Sequence, residues 1–132
     1  MSIPSINRLY LLVSAVGLVP IALSYGIVPT TTLPRLFEFA VIDRDLIHIF
    51  RAVMGLYLAC AIFWIVGAIV PRLTRIAILF DVLFMGGLAA GRVLSLLVDG
   101  LPSIMLIVYL VAEAVFAVLG IFLLRKPSNE VV

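Results

Sequence analysis

Four long apolar segments fix what this chain can fold into. They cover about 9–28, 46–70, 76–98 and 104–124. Each is near the ~20 residues a helix needs to cross the hydrocarbon core of a bilayer. Only helices and closed barrels satisfy their backbone polar groups in lipid, and runs of this length are helical. The chain has 132 residues, of which 65% are hydrophobic and 12% charged. A soluble chain this short has no interior large enough to hide that apolar surface. The expected fold is therefore all-α, an integral membrane four-helix bundle forming a single domain over 1–132.

The segment that starts near Leu9 resembles the apolar core of a signal peptide, because Arg8 precedes it. It runs well past the ~7–15 residues of such a core and has no clear cleavage site before Pro29. It reads as an uncleaved first span. Pro20 lies inside it and predicts a kink. The first connection, 29–44, is the longest, and 33–39 within it is a short interfacial helix with Leu36, Phe37 and Phe39 dipping into lipid. The second connection, 71–75, is short and basic. The third, 99–103, lacks Lys and Arg, and Ser103 is placed to cap the last helix.

Basic residues near the helix ends set the orientation. Arg8, Arg72, Arg75, Arg125 and Lys126 fall on one side, and only Arg35 and Arg44 on the other. The positive-inside rule then puts both termini of this multi-pass protein in the cytoplasm.

Ionisable residues inside the spans are functional hypotheses in their own right, because an unpaired charge in hydrocarbon is costly. Arg92, Ser95 and Asp99 share one face of the third span, with Asp81 lower on the same stripe. His48 and Arg51 share a face of the second span. Tyr109 and Glu113 share a face of the fourth. At ~1.5 Å per residue, Arg51 and Arg92 lie about 7–10 Å below the outer helix ends, and Glu113 about 15 Å below. Matching depth predicts that Arg92 meets Glu113 or Asp99 and that Arg51 joins them. Gly55 with Ala59, and Gly87 with Gly91, are expected where helices approach closely.

Two readings of this cluster stand side by side. In one it is a buried ion-pair network that fixes helix register. In the other, His48, Arg51, Arg92, Ser95, Asp99, Tyr109 and Glu113 surround a binding site for an anionic or quinone-like ligand, or for a membrane lipid. Asp81 is either hydrogen-bonded to Ser14, Tyr25 or water, or part of a proton relay. The function expected is a ligand- or lipid-binding bundle or an accessory subunit of a larger membrane complex. The alternative is a small homo-oligomeric transporter or proton-coupled carrier using Glu113 and Asp81.

Several classes lack residues to support them. One histidine makes neither a two-histidine haem site nor an ordinary zinc site, so no cofactor or metal is expected. No nucleophile–base spacing or phosphate-binding glycine loop occurs, and no enzyme constellation is visible. Net charge is +2 with scattered basic residues, so nucleic acid is not an expected partner. Cys60 is the sole cysteine and reads as a small buried hydrophobe.

The sequences HIFRAVMGLYLA and GGLAAGRVLSLLVDGLPS resemble a family of small bacterial membrane proteins known as domain of unknown function 4345. The resemblance runs from about Leu9 to Leu124. Its most specific part is Gly91, Arg92, Ser95, Asp99, Gly100 and Pro102, joined by Arg51, Ala52, Gly55, Leu56, Tyr57 and Glu113. It implies a four-helix membrane bundle, more distantly similar to DoxX-like proteins, and leaves the activity open.

Overall fold

The computed structural model describes residues 5–127. Residues 1–4 and 128–132, included in the single-domain reading, lie outside the described residues. Five helices follow in order: α1 Ile6–Gly26, α2 Pro29–Phe37, α3 Arg44–Ile69, α4 Pro71–Val98 and α5 Ile104–Arg125. No strand occurs among the described residues. All but α2 are long and apolar enough to span a membrane, and the chain forms an all-α bundle of membrane-spanning helices.

The helices pack in the spatial order α1, α3, α4, α5, and α5 barely returns to α1. Small side chains make the α1–α3 seam tight. Ala15, Ala22, Ala61 and Ala68 are all buried there, around Leu11 and Trp64. The outward faces carry Val16, Ile62, Leu83, Leu97 and Val111, the pattern expected of lipid-facing surface.

Three expectations need correction. The basic stretch 71–75 is not a loop. Pro71 occupies the first position of α4, where its missing N–H costs nothing. One extended residue, Val70, separates α3 from α4. The Thr74 hydroxyl donates to the Gly67 carbonyl at 2.7 Å and so satisfies the end of α3. The chain can turn this sharply because Ala77 sits where a Cβ on Gly67 would be.

The second correction concerns α2. It begins at Pro29, earlier than expected, and is tied to the end of α1 by the Thr32 hydroxyl, which donates to the Ser24 carbonyl. Its apolar face points into the bundle. Leu33 and Phe37 are buried, Leu36 is half-buried, and only Phe39 stays exposed. The α2 helix is thus a cap over the end of the bundle where α1 ends and α3 begins. Glu38 stops it in a left-handed conformation, φ 61°.

The third concerns the small residues. Gly55 and Ala59 are exposed, and added side-chain atoms at Gly55, Gly87 or Gly91 would meet nothing. The close approaches are at Gly26, facing Met54, at Gly67, and at Gly120, the last facing Val82 and the Tyr10 hydroxyl. Ser103 does precede α5, but its hydroxyl makes no capping bond.

Candidate functional site

The site centres on an ion pair between α4 and α5. Arg92 Nε donates to Glu113 Oε2 at 2.7 Å, and Nη2 donates to Oε1 at 3.0 Å. This two-point geometry is the strong form of the interaction. The side chains are only 20% and 11% exposed. Tyr109, one turn above Glu113, places its ring 5.7 Å from the guanidinium carbon, within cation–π range.

Aromatic rings close the site from outside. Phe37 of α2 meets Tyr109 edge-on at 6.0 Å and Tyr25 at 5.9 Å. Tyr25 in turn packs on Phe50 and Tyr57 of α3. Such edge contacts between rings are favourable beyond the area they bury.

Below this collar lies a cavity of about 100 Å³. The α1 helix contributes Ser14, Gly17, Leu18, Ile21 and Tyr25 to its wall, and Tyr57 comes from α3. Met85, Leu88 and Arg92 come from α4, and Tyr109, Ala112, Glu113 and Phe116 from α5. The wall is apolar apart from the ion pair, the serine and the tyrosine hydroxyls.

The cavity opens sideways. The gap between α1 and α5 is closed below by Tyr10, whose hydroxyl donates to the Phe116 carbonyl at 2.8 Å. It is closed above by the Phe37–Tyr109 contact. Between these closures Gly17 and Ala112 line the cavity and are also exposed. They frame a window toward lipid.

Arg92, Glu113 and Tyr109 thus converge, but the other expected members do not. Arg51 is exposed, and its Nε donates to the Gly26 carbonyl at 3.2 Å, where it caps the end of α1. His48 is exposed one turn away. The inward face of α3 runs through Tyr57, Cys60, Ala61 and Trp64. Stepping back along it reaches Phe50 and Val53, so Arg51 is turned about 100° away. Ser95 donates to Asp99 at 2.7 Å on the exposed last turn of α4. Their stripe does continue from Arg92, but among the described residues no buried position of α4 lies beyond Met85.

Asp81 is fully buried and accepts a 2.6 Å hydrogen bond from the Ser14 hydroxyl, one of the partners anticipated. Among the described residues, no cluster of three His, Cys, Asp or Glu could hold a metal. Sequence reasoning missed Tyr25, Tyr57 and Phe37 as site residues. Tyr57 was within reach, since it extends the Trp64 stripe by two turns.

The profile of one protein family, described as domain of unknown function DUF4345, matches residues 6–124. The chain belongs to the DUF4345 family. No curated protein and no solved structure matches it. In this DUF4345 protein the matched span contains all five helices apart from the last residue of α5, and every residue of the cavity.

Proposed function

We propose that this small membrane protein binds a lipid-soluble, mostly apolar molecule through an uncharged polar head, such as a quinone-like carbonyl. The observation that carries this reading is the Arg92–Glu113 pair in the wall of an apolar cavity with a window to lipid. Glu113 neutralises Arg92, so an anionic head would have to compete with a carboxylate already in place. A neutral acceptor would not. Glu113 takes two of the five guanidinium N–H donors, and the others remain for an occupant oxygen. A cavity of about 100 Å³ holds a head group, and the apolar remainder would lie in the window among lipid tails. This use is compatible with an accessory subunit in a larger complex.

Gly17 tests the reading. A Cβ added there meets no protein atom within 4 Å, and a longer side chain would stand in the window. Gly17→Leu should leave stability unchanged or raise it by about 0.8 kcal/mol, since glycine is a poor helix former. Binding of a fully substituted, short-tailed benzoquinone should weaken at least tenfold, read by quenching of Trp64, the sole tryptophan. Equal, non-saturating quenching of both proteins would refute the reading.

The orientation belongs to the same proposal: a bacterial inner membrane with both termini in the cytoplasm. The face bearing Arg8, Arg72, Arg75, Arg125 and Lys126 is then inside. Thr31→Cys should react with a membrane-impermeant maleimide in intact cells, and Arg72→Cys only after permeabilisation. Native Cys60 is buried and should stay silent. The reverse labelling pattern would invert the topology.

A further inference from the structure

Ser14 belongs to two structures at once. It lines the cavity, and its hydroxyl donates to Asp81 Oδ2 at 2.6 Å. Asp81 has no exposed surface, and its second oxygen, Oδ1, has no partner among the described residues. Among the described residues no ion pair compensates it: Arg92 is committed to Glu113, and Arg75 to the Leu124 carbonyl. Its titratable neighbours are Tyr10 of α1 and Cys60 of α3. The α5 helix presents the Phe116 backbone and Gly120 to the Tyr10 hydroxyl, with Glu113 farther out along the same helix.

A serine hydroxyl has one proton to donate and lone pairs to accept with. When Asp81 is charged it can only accept, so the Ser14 proton is spent on it. Ser14 then shows the cavity an acceptor. When Asp81 carries a proton it can donate to Ser14, which frees the Ser14 proton to turn toward the cavity. The same residue then shows a donor.

We propose that Ser14 is a two-way rotor set by the protonation of Asp81. The cavity takes a hydroxyl-bearing occupant when Asp81 is charged and a carbonyl-bearing one when it is neutral. This rests on the binding function proposed above and adds what that reading lacks, a discrimination between the hydroxyl and carbonyl forms of one molecule. Arg92 and Ser14 both stand in the wall of this cavity.

The test uses the full-length protein in detergent and a fully substituted, short-tailed benzoquinone with its hydroquinone, the latter kept anaerobic. Trp64 quenching is titrated with each from pH 5 to 9. The affinity ratio of carbonyl to hydroxyl form should fall by roughly five- to tenfold as pH rises, the size of one hydrogen bond gained or lost. Asp81→Asn should make the ratio independent of pH, which separates Asp81 from Glu113, Tyr10 and Cys60. Ser14→Ala should abolish the discrimination, and Ser14→Thr, which keeps a hydroxyl, should restore it. A wild-type ratio constant with pH, or a ratio that still shifts in Asp81→Asn, would overturn the rotor while leaving the binding function standing. Failure of both probes to bind saturably would instead overturn both.

Discussion

Replacing Glu113 with Gln should destabilise the bundle by about 3 kcal/mol, the lower end of the range for breaking a buried pair from one side. The loss is not the attraction itself. It is the cost of leaving the Arg92 guanidinium, only one-fifth exposed, with no counter-charge among apolar neighbours. The double change Arg92→Met with Glu113→Leu should recover most of that stability, because neither charge is then stranded. Unfolding titrations in mixed micelles read both. The double variant also divides the two roles of the pair. If the pair serves binding, the double variant folds and fails to bind the benzoquinone. Full binding by a well-folded double variant would leave the pair a purely structural device.

Gly67→Val should have an effect of similar size at the opposite end of the molecule. A Cβ on Gly67 would overlap the Ala77 side chain, and the Leu73 carbonyl lies 3.6 Å from the same point. Ala77 is fully buried and has no flexible end to swing away. The added volume therefore separates α3 from α4 at their shared corner, and overpacking of this kind costs about 3 kcal/mol at its upper end. The Thr74–Gly67 hydrogen bond would stretch at the same time. The same micelle unfolding assay should show the loss. Gly55→Val, at an exposed position facing open space, should cost well under 1 kcal/mol.

The spans were legible in the sequence because lipid imposes length and hydropathy on them directly. The Arg92–Glu113 pair was legible because depth and the cost of a lone charge both restrict its partners. Arg51 has the same depth as Arg92, yet it faces elsewhere. Depth is a one-dimensional coordinate, and the direction of a side chain around its helix depends on which neighbours pack there. The α2 helix shows the same limit. Its amphipathic pattern announces one apolar face, but the pattern of a face turned to lipid is the pattern of a face turned to protein. Only the packing of Phe37 against Tyr25 and Tyr109 separates them. The basic stretch 71–75 was misread because Pro and Arg signal a boundary without saying whether a helix ends or begins there.

The lengths of the helices differ in a way that bears on their surroundings. The α4 helix has 28 residues, about 42 Å at the standard rise, whereas α1 has 21 and α5 has 22, about 32 Å each. Against a hydrocarbon layer of ~30 Å, α1 and α5 fit nearly upright, whereas α4, and α3 with its 26 residues, must lean or protrude. A thinner or thicker bilayer therefore acts on α3 and α4 before the other two, and α4 carries Arg92 and Asp81. The two sides of the window are matched to the membrane, and the helix behind them is not. Lipid chain length thus becomes an input to the site, set by the cell's membrane composition and not by any residue of the chain.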